Sequence, residues 1–216
     1  MRPYYEQDGI AIYHADCRDV LASLSADVLI MDPPYGLQAV SDGDGYGRRQ
    51  NHEYADLHIA NDDNGECRDA VLSAWCGPAA VFHSPRLPEP LGDWSFRLVW
   101  DKGRPGMNSG PWRYTHELVF IRGEWVRVND AAFSVIRVPA VNMPCHPHEK
   151  PVALMRDLII AAPKGVVLDP FMGSGSTLRA AKDLSRKAIG IELEERYCEI
   201  AAKRLRQGAL PMEMGA

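Results

Sequence analysis

The chain of 216 residues has little of what marks a membrane, secreted or disulfide-stapled protein. No apolar run approaches the ~20 residues that cross a bilayer, which argues against a helical span. The first residues, Met1-Arg2-Pro3-Tyr4-Tyr5-Glu6-Gln7-Asp8, hold no apolar stretch of the kind a secretory signal needs. Cysteines number five, an odd count without CxxC spacing, so free thiols in a reducing cytoplasm are expected. Positive charge is also short: 24 Lys and Arg against 29 Asp and Glu give a net charge of −5. The overall basic balance common among nucleic-acid binders is therefore absent. The local balance differs, because Arg86 to Arg137 carries eight basic residues against six acidic ones. No internal repeat or linker is visible, and a single domain over residues 1–216 is expected.

What is present reads as an α/β protein. Hydrophobic residues make up 46% of the chain, enough for a sizeable core. Short apolar runs alternate with helix-period segments, the pattern of a mostly parallel sheet with helices on both faces. Strands are expected at Ile10–His14, Asp27–Met31, Ala79–His83, Ser95–Trp100, Glu117–Ile121, Val166–Leu168 and Ala188–Ile191. Helices are expected at Cys17–Leu24, Glu66–Trp75, Ser176–Leu184 and Glu194–Leu205, with another opening at Pro151 as its first residue. Two segments, 38–64 and 101–111, are rich in Gly with Asp, Asn or Pro. Loops of that length in a compact domain usually carry function.

Two motifs carry chemistry. In Val166-Val167-Leu168-Asp169-Pro170-Phe171-Met172-Gly173-Ser174-Gly175-Ser176-Thr177 a strand passes through a glycine turn into a helix. Glycines there let the backbone approach a ligand, and the helix start offers free N–H groups to an anion. Ser176 and Thr177 can cap the helix or bind a carboxylate. The last Gly of the dinucleotide fingerprint and the phosphate-loop Lys are both missing, which argues against a nicotinamide or nucleoside triphosphate site. An acid, Glu192, ends the next strand and can accept from ribose hydroxyls. Alone, this loop is equally a helix cap of any α/β protein.

The second motif is Asp32-Pro33-Pro34-Tyr35, closing the strand Asp27–Met31. Consecutive prolines end the ladder and stiffen the turn. Such a corner holds one carboxylate, one carbonyl and one ring at the carboxyl end of a sheet, where α/β proteins bind ligands. An exocyclic amine of adenine or cytosine is a poor nucleophile, because its lone pair is delocalised into the ring. The Asp32 carboxylate and the Pro33 carbonyl can take its two hydrogens and aim the lone pair, while Tyr35 stacks on a base flipped from the duplex.

With these motifs in this order, the chain resembles the DNA amino-methyltransferases of the permuted β-class, from about Ile10 to Leu205. His14-Ala15-Asp16-Cys17, His146-Pro147-His148-Glu149-Lys150-Pro151, Trp100-Asp101-Lys102-Gly103 and Tyr114-Thr115-His116-Glu117 are similar to further segments of that family. The resemblance implies a Rossmann-like, seven-stranded, circularly permuted fold, S-adenosylmethionine (AdoMet) as cofactor, double-stranded DNA as substrate and a bacterial or phage-like cytoplasm. It implies that AdoMet contacts Asp16, Cys17, Asp32, Lys150, Asp169, Pro170, Phe171, Gly173, Ser174, Gly175, Ser176, Thr177, Glu192 and Leu193. Asp32, Pro33, Pro34 and Tyr35 form the catalytic corner. Asp rather than Ser at 32 favours adenine N6 over cytosine N4, since family members acting on cytosine more often carry Ser. The same chemistry leaves cytosine N4 as the alternative, and a catalytically silent AdoMet- and DNA-binding module as a rival of another class.

The recognition region is short, confined to segments 38–64 and 101–111, and self-association into a homodimer is expected. Arg48, Arg49, Arg104 and Arg113 are the candidate DNA contacts, to phosphate rather than bases. Pro144-Cys145 echoes the nucleophile of cytosine C5 enzymes, but an attacking thiolate would leave Asp32-Pro33-Pro34-Tyr35 without a role. Cys145, His146 and His148 crowd on a proline-broken stretch with no distant partner pair, a weak zinc site, and no metal is assigned.

Overall fold

The computed structural model describes residues 1–35, 65–103, 112–126, 134–141 and 149–207. Among these, one nine-stranded sheet runs in the order β1-β2-β9-β8-β3-β4-β6-β5-β7. The strands are β1 (Tyr5–Gln7), β2 (Ile10–His14), β3 (Val28–Met31), β4 (Ala79–His83), β5 (Phe96–Asp101), β6 (His116–Arg122), β7 (Val135–Arg137), β8 (Val167–Asp169) and β9 (Ala188–Glu192). The helices are α1 (Cys17–Val20), α2 (Glu66–Ala74), α3 (Val152–Ala161), α4 (Ser176–Asp183) and α5 (Glu195–Arg206).

The central strands follow from their composition. Val28–Met31 is apolar throughout and buried at all four positions, as a parallel strand covered on both faces must be. Core residues from alternate strand positions separate into two layers. Val28, Ile30, Ala80 and Phe82 pack with Leu154, Leu158, Leu178, Cys198 and Ala201 of α3, α4 and α5. Leu29, Met31, Ala79 and Val81 pack with Cys17 and Val20 of α1 and with Cys67, Val71 and Leu72 of α2. In α5 the buried residues Tyr197, Cys198, Ala201, Ala202 and Leu205 form one stripe, and Lys203, Arg204 and Arg206 sit in the last turn, where the helix dipole favours cations.

All seven expected strands are present, with their ends shifted by a residue or less. The sheet is wider than seven because of two three-residue edge strands. β1 pairs antiparallel with β2, and β7 pairs parallel with β5. Neither is long enough to display a two-residue alternation. The expected helix Cys17–Leu24 is α1 followed by a 3-10 turn at Leu21–Ser23. Pro151 caps α3 in an extended conformation rather than opening it as the first helical residue. Ser176 and Thr177 are not the cap of α4; that position belongs to Gly175, in the left-handed region. Segment 38–64 and residues 104–111 lie outside the described residues, whereas Asp101 ends β5. Among the described residues no helix is long and apolar enough to cross a membrane.

The permuted order creates a switch point. β3 and β8 are adjacent and parallel, with Val28 beside Val167. The next described helix after β3, α2, packs on one face of the sheet, and α4, which follows β8, packs on the other. Helices departing to opposite faces open a crevice above the carboxyl ends of these two strands, the place where doubly wound sheets bind ligands. Gly175 shapes that crevice. Its φ is 81°, and a Cβ there would lie 2.8 Å from the Cβ of Ala201 on α5. Gly175→Ala is therefore expected to lower stability by about 1–3 kcal/mol, from backbone strain and overpacking, measured by urea unfolding.

Candidate active site at the carboxyl ends of β3, β8 and β9

The glycine loop is anchored from below by Asp169. Its Oδ1 accepts from the Phe171 N–H at 3.1 Å and its Oδ2 from the Thr177 hydroxyl at 2.5 Å. Thr177 thus ties the helix start to the strand end, which explains a hydroxyl at the second position of α4. Pro170, Gly173, Ser174, Gly175, Ser176 and Thr177 are buried and Phe171 half-buried. The Ser174 and Ser176 hydroxyls accept from the Arg204 guanidinium of α5, at 3.4 and 3.1 Å, and Arg204 is itself paired with Glu149 at 2.5 Å. Those side chains brace the loop, leaving the backbone amides of the first helical turn as the groups for an anion.

Glu192, at the end of β9, accepts from the Gly173 N–H at 3.0 Å and from the Glu194 N–H at 2.8 Å. One carboxylate therefore joins the glycine turn to the turn beyond β9. Burial raises its pKa, against the opposing backbone N–H groups of Glu194 and Gly173. Beside it, the ends of β2 and β9 stay paired: Ala15 donates to the Glu192 carbonyl, and His14 Nε2 lies 3.0 Å from the Leu193 carbonyl. Leu193 is 40% exposed, so it can cover a ligand. Asp16 caps α1. Its carboxylate takes the backbone N–H, Nε and Nη2 of Arg18, which hold its pKa below the usual range. The structure thus brings Asp16, Asp169 and Glu192 together around one crevice.

The Cys17 side chain is buried, with Sγ 3.8 Å from Cys67 Sγ on α2. Among the described residues, Asp16, Cys17 and Cys67 place possible metal ligands within 4.8 Å of one another. Arg18 already holds both Asp16 oxygens, and the two thiols share a hydrogen bond, so no metal is assigned.

Asp32 follows β3, with Pro33 buried and Pro34 and Tyr35 half-buried. Tyr35 donates its hydroxyl to Asp32 Oδ1 at 2.8 Å, and its ring meets His83 edge-on with centroids 6.0 Å apart. Lys150 donates to Asp32 Oδ2. The sequence placed Lys150 near the cofactor; its ammonium sits against the proline corner, over the rings of Phe82 and Trp100 at 5.1 and 5.8 Å. A second acid completes the group. Glu117 lies 3.4 Å from Lys150 Nζ through Oε2 and 2.7 Å from Lys102 Nζ through Oε1. Burial pushes the Lys150 pKa down, but Asp32 and Glu117 outweigh it and the net shift is upward. Burial pushes Glu117 up, and Lys150 with Lys102 outweighs it, for a net downward shift. Both shifts favour the charged forms of Lys150 and Glu117.

Glu117, Lys102 and Arg204 had no assigned role in the sequence. Glu117 was detectable in principle. It shares a strand face with Val119 and Ile121, both buried, and a carboxylate on a buried face signals a partner. Arg113 is exposed, between Trp112 at 87% exposure and Tyr114, just before β6 on the site's side of the sheet. Arg48, Arg49, Arg104, Cys145, His146 and His148 lie outside the described residues.

A doubly wound sheet with a glycine turn, a terminal strand acid and a proline-stiffened acidic corner at one switch point defines a nucleotide-binding α/β enzyme class. The DNA methylase family profile covering N6 and N4 enzymes matches residues 94–203. This chain belongs to that family. The type II methyltransferase M2.LlaDCHI of Lactococcus lactis subsp. cremoris is 26% identical over 255 aligned positions, covering 96% of this chain and 93% of that protein. The structure of M1.HpyAVI in complex with SAM superposes with a TM-score of 0.64 at 25% identity, over 92% of this chain and all of that one. The cytosine-N4-specific PvuII DNA methyltransferase shares the fold, with a TM-score of 0.68 at 17% identity over 96% of this chain and 90% of that one.

Asp169 carries a pH prediction. Burial pushes its pKa up to about 7 despite the hydrogen bonds from Thr177 and Phe171. Between its ordinary value and about 7 the unfolded chain releases the proton while the folded chain holds it, so stability falls as pH rises through that window. Asp169→Asn has no charge to bury, and should lose less unfolding free energy than wild type between about pH 4 and 7 in urea titrations.

Proposed function

We propose that the protein transfers a methyl group from AdoMet to the N6 amine of adenine in double-stranded DNA. The observation that carries this reading is the placement of the Asp32 corner and the Asp169–Glu192 crevice at the ends of adjacent strands.

The crevice fits AdoMet. Each Glu192 oxygen accepts one backbone N–H and keeps a second lone pair for a ribose hydroxyl. Asp16 and Leu193 border the adenine position, Phe171 lies beside the glycine turn, and the first-turn amides of α4 face the amino-acid carboxylate. When bound, AdoMet supplies an electrophilic methyl carbon on a cationic sulfur. The other steps belong to the chain. Asp32 and the Pro33 carbonyl accept the two amine hydrogens of a flipped adenine, which localises the nitrogen lone pair toward the methyl carbon. The N–C bond forms as the C–S pair returns to sulfur, and the amine proton leaves by way of Asp32. Pro34 keeps the corner rigid, and Tyr35 stacks on the base while its hydroxyl orients Asp32. Positioning and preorganised acceptors supply the acceleration, with no covalent intermediate on the enzyme.

Asp at position 32 supports adenine over cytosine, and a second copy of the chain is the natural partner for so short a recognition region. Arg113, with Arg48, Arg49 and Arg104, contacts phosphate. The similarity to type II methyltransferases supports a restriction-modification setting.

Asp32→Ala is expected to abolish methyl transfer while AdoMet binding, read by calorimetry, survives. Nucleoside analysis of DNA incubated with labelled AdoMet should yield N6-methyladenine; N4-methylcytosine would overturn the choice of base. Label-free DNA retained by the wild-type protein would instead support a silent binding module. Arg113→Ala should weaken DNA binding about equally across sequences and reduce the slope of log K against log salt by about 1.

A further inference from the structure

In this structure the acid that must receive the substrate amine is already occupied. Tyr35 holds Asp32 Oδ1 and Lys150 holds Oδ2. A carboxylate oxygen can accept a second hydrogen bond, but an amine that takes the Oδ2 position held by Lys150 leaves a buried ammonium short of its carboxylate, which is strongly unfavourable. Lys150 is only 7% exposed, so water offers little compensation. The structure supplies another acceptor. Glu117 Oε2 is buried, accepts no well-aligned hydrogen bond among the described residues, and is ion-paired at 3.4 Å with Lys150 Nζ. Closing that gap to a charge-assisted bond of ~2.8 Å requires a displacement well under an ångström. Lys102 holds the other oxygen of Glu117 at 2.7 Å, which fixes the carboxylate in place to receive it.

We propose that Glu117 is a positioning residue for Asp32, acting through Lys150, whose ammonium passes from Asp32 to Glu117 when the substrate amine enters. This rests on the assignment of Asp32 as the amine acceptor. The handover keeps Lys150 paired in both states and frees Asp32 Oδ2 only once a hydrogen donor is there to replace the ammonium. The rings of Phe82 and Trp100 flank the ammonium at 5.1 and 5.8 Å and line the short path.

Single-turnover methylation at saturating DNA and AdoMet, followed for hours, separates this role from a structural one. Glu117→Gln keeps the shape but not the charge. It should slow the chemical step about 10- to 100-fold while AdoMet affinity stays within about 2-fold of wild type. In a Lys150→Met background the same substitution should cost less than about 2-fold, because no ammonium remains to be received. Glu117→Asp retains the charge and should recover part of the rate; it also replaces Glu117→Gln in the coupling measurement if that variant does not fold. A wild-type rate in Glu117→Gln, or an equal penalty with and without Lys150, overturns the proposal. Asp32→Asn separates the two levels. Full turnover in Asp32→Asn removes Asp32 itself from the chemistry, whereas an inactive Asp32→Asn beside a fully active Glu117→Gln rejects the role of Glu117 alone.

Discussion

The adjacency of β3 and β8 is the constraint on which the rest of the molecule depends. Asp27 and Val166, 139 residues apart, are joined by a hydrogen bond at the start of these strands, where Asp27 Oδ2 accepts from the Val166 N–H at 2.7 Å. From there the two strands run side by side, and the helices next described after them, α2 and α4, pack on opposite faces. The proline corner and the glycine turn consequently emerge at the same end of the sheet. A methyl donor and a methyl acceptor need such convergence, since the reacting atoms must meet in line while their carriers are held by separate loops. Without the pairing, each loop would be an ordinary turn.

Around that convergence the protein buries charge, which is costly unless each charge has partners. Two strategies are visible. Asp169 and Glu192 lie beneath and beside the glycine turn, held by backbone N–H groups and the Thr177 hydroxyl, and burial raises both pKa values. Asp32 and Glu117 are instead balanced by lysines, and Lys150 sits between them. Asp169 and Glu192 are thus shifted upward by desolvation, whereas Asp16, Asp32 and Glu117 are paired with cations.

Much of this was legible in the chain. The seven principal strands showed as apolar runs because central parallel strands are buried on both faces, and Val28–Met31 is buried at every position. Asp32-Pro33-Pro34-Tyr35, the glycine turn and Glu192 were recognisable because each depends on local backbone chemistry within a few residues. Edge strands β1 and β7 were not, since three residues cannot show a period. The cap of α4 was misplaced by one residue because the left-handed Gly175, not a hydroxyl, ends the turn.

What the sequence determined by itself was local: strands, helix starts, the stiff acidic corner and the family to which they belong. The tertiary structure decided how distant side chains were paired. It turned the Cys17 thiol inward to Cys67, gave the Ser174 and Ser176 hydroxyls to Arg204, and set Lys150 on Asp32. It also brought Glu117 to Lys150 across the register of β5, β6 and β4. These pairings join residues from different elements, and a buried charge selects its partner through the packing around it, which no stretch of sequence contains.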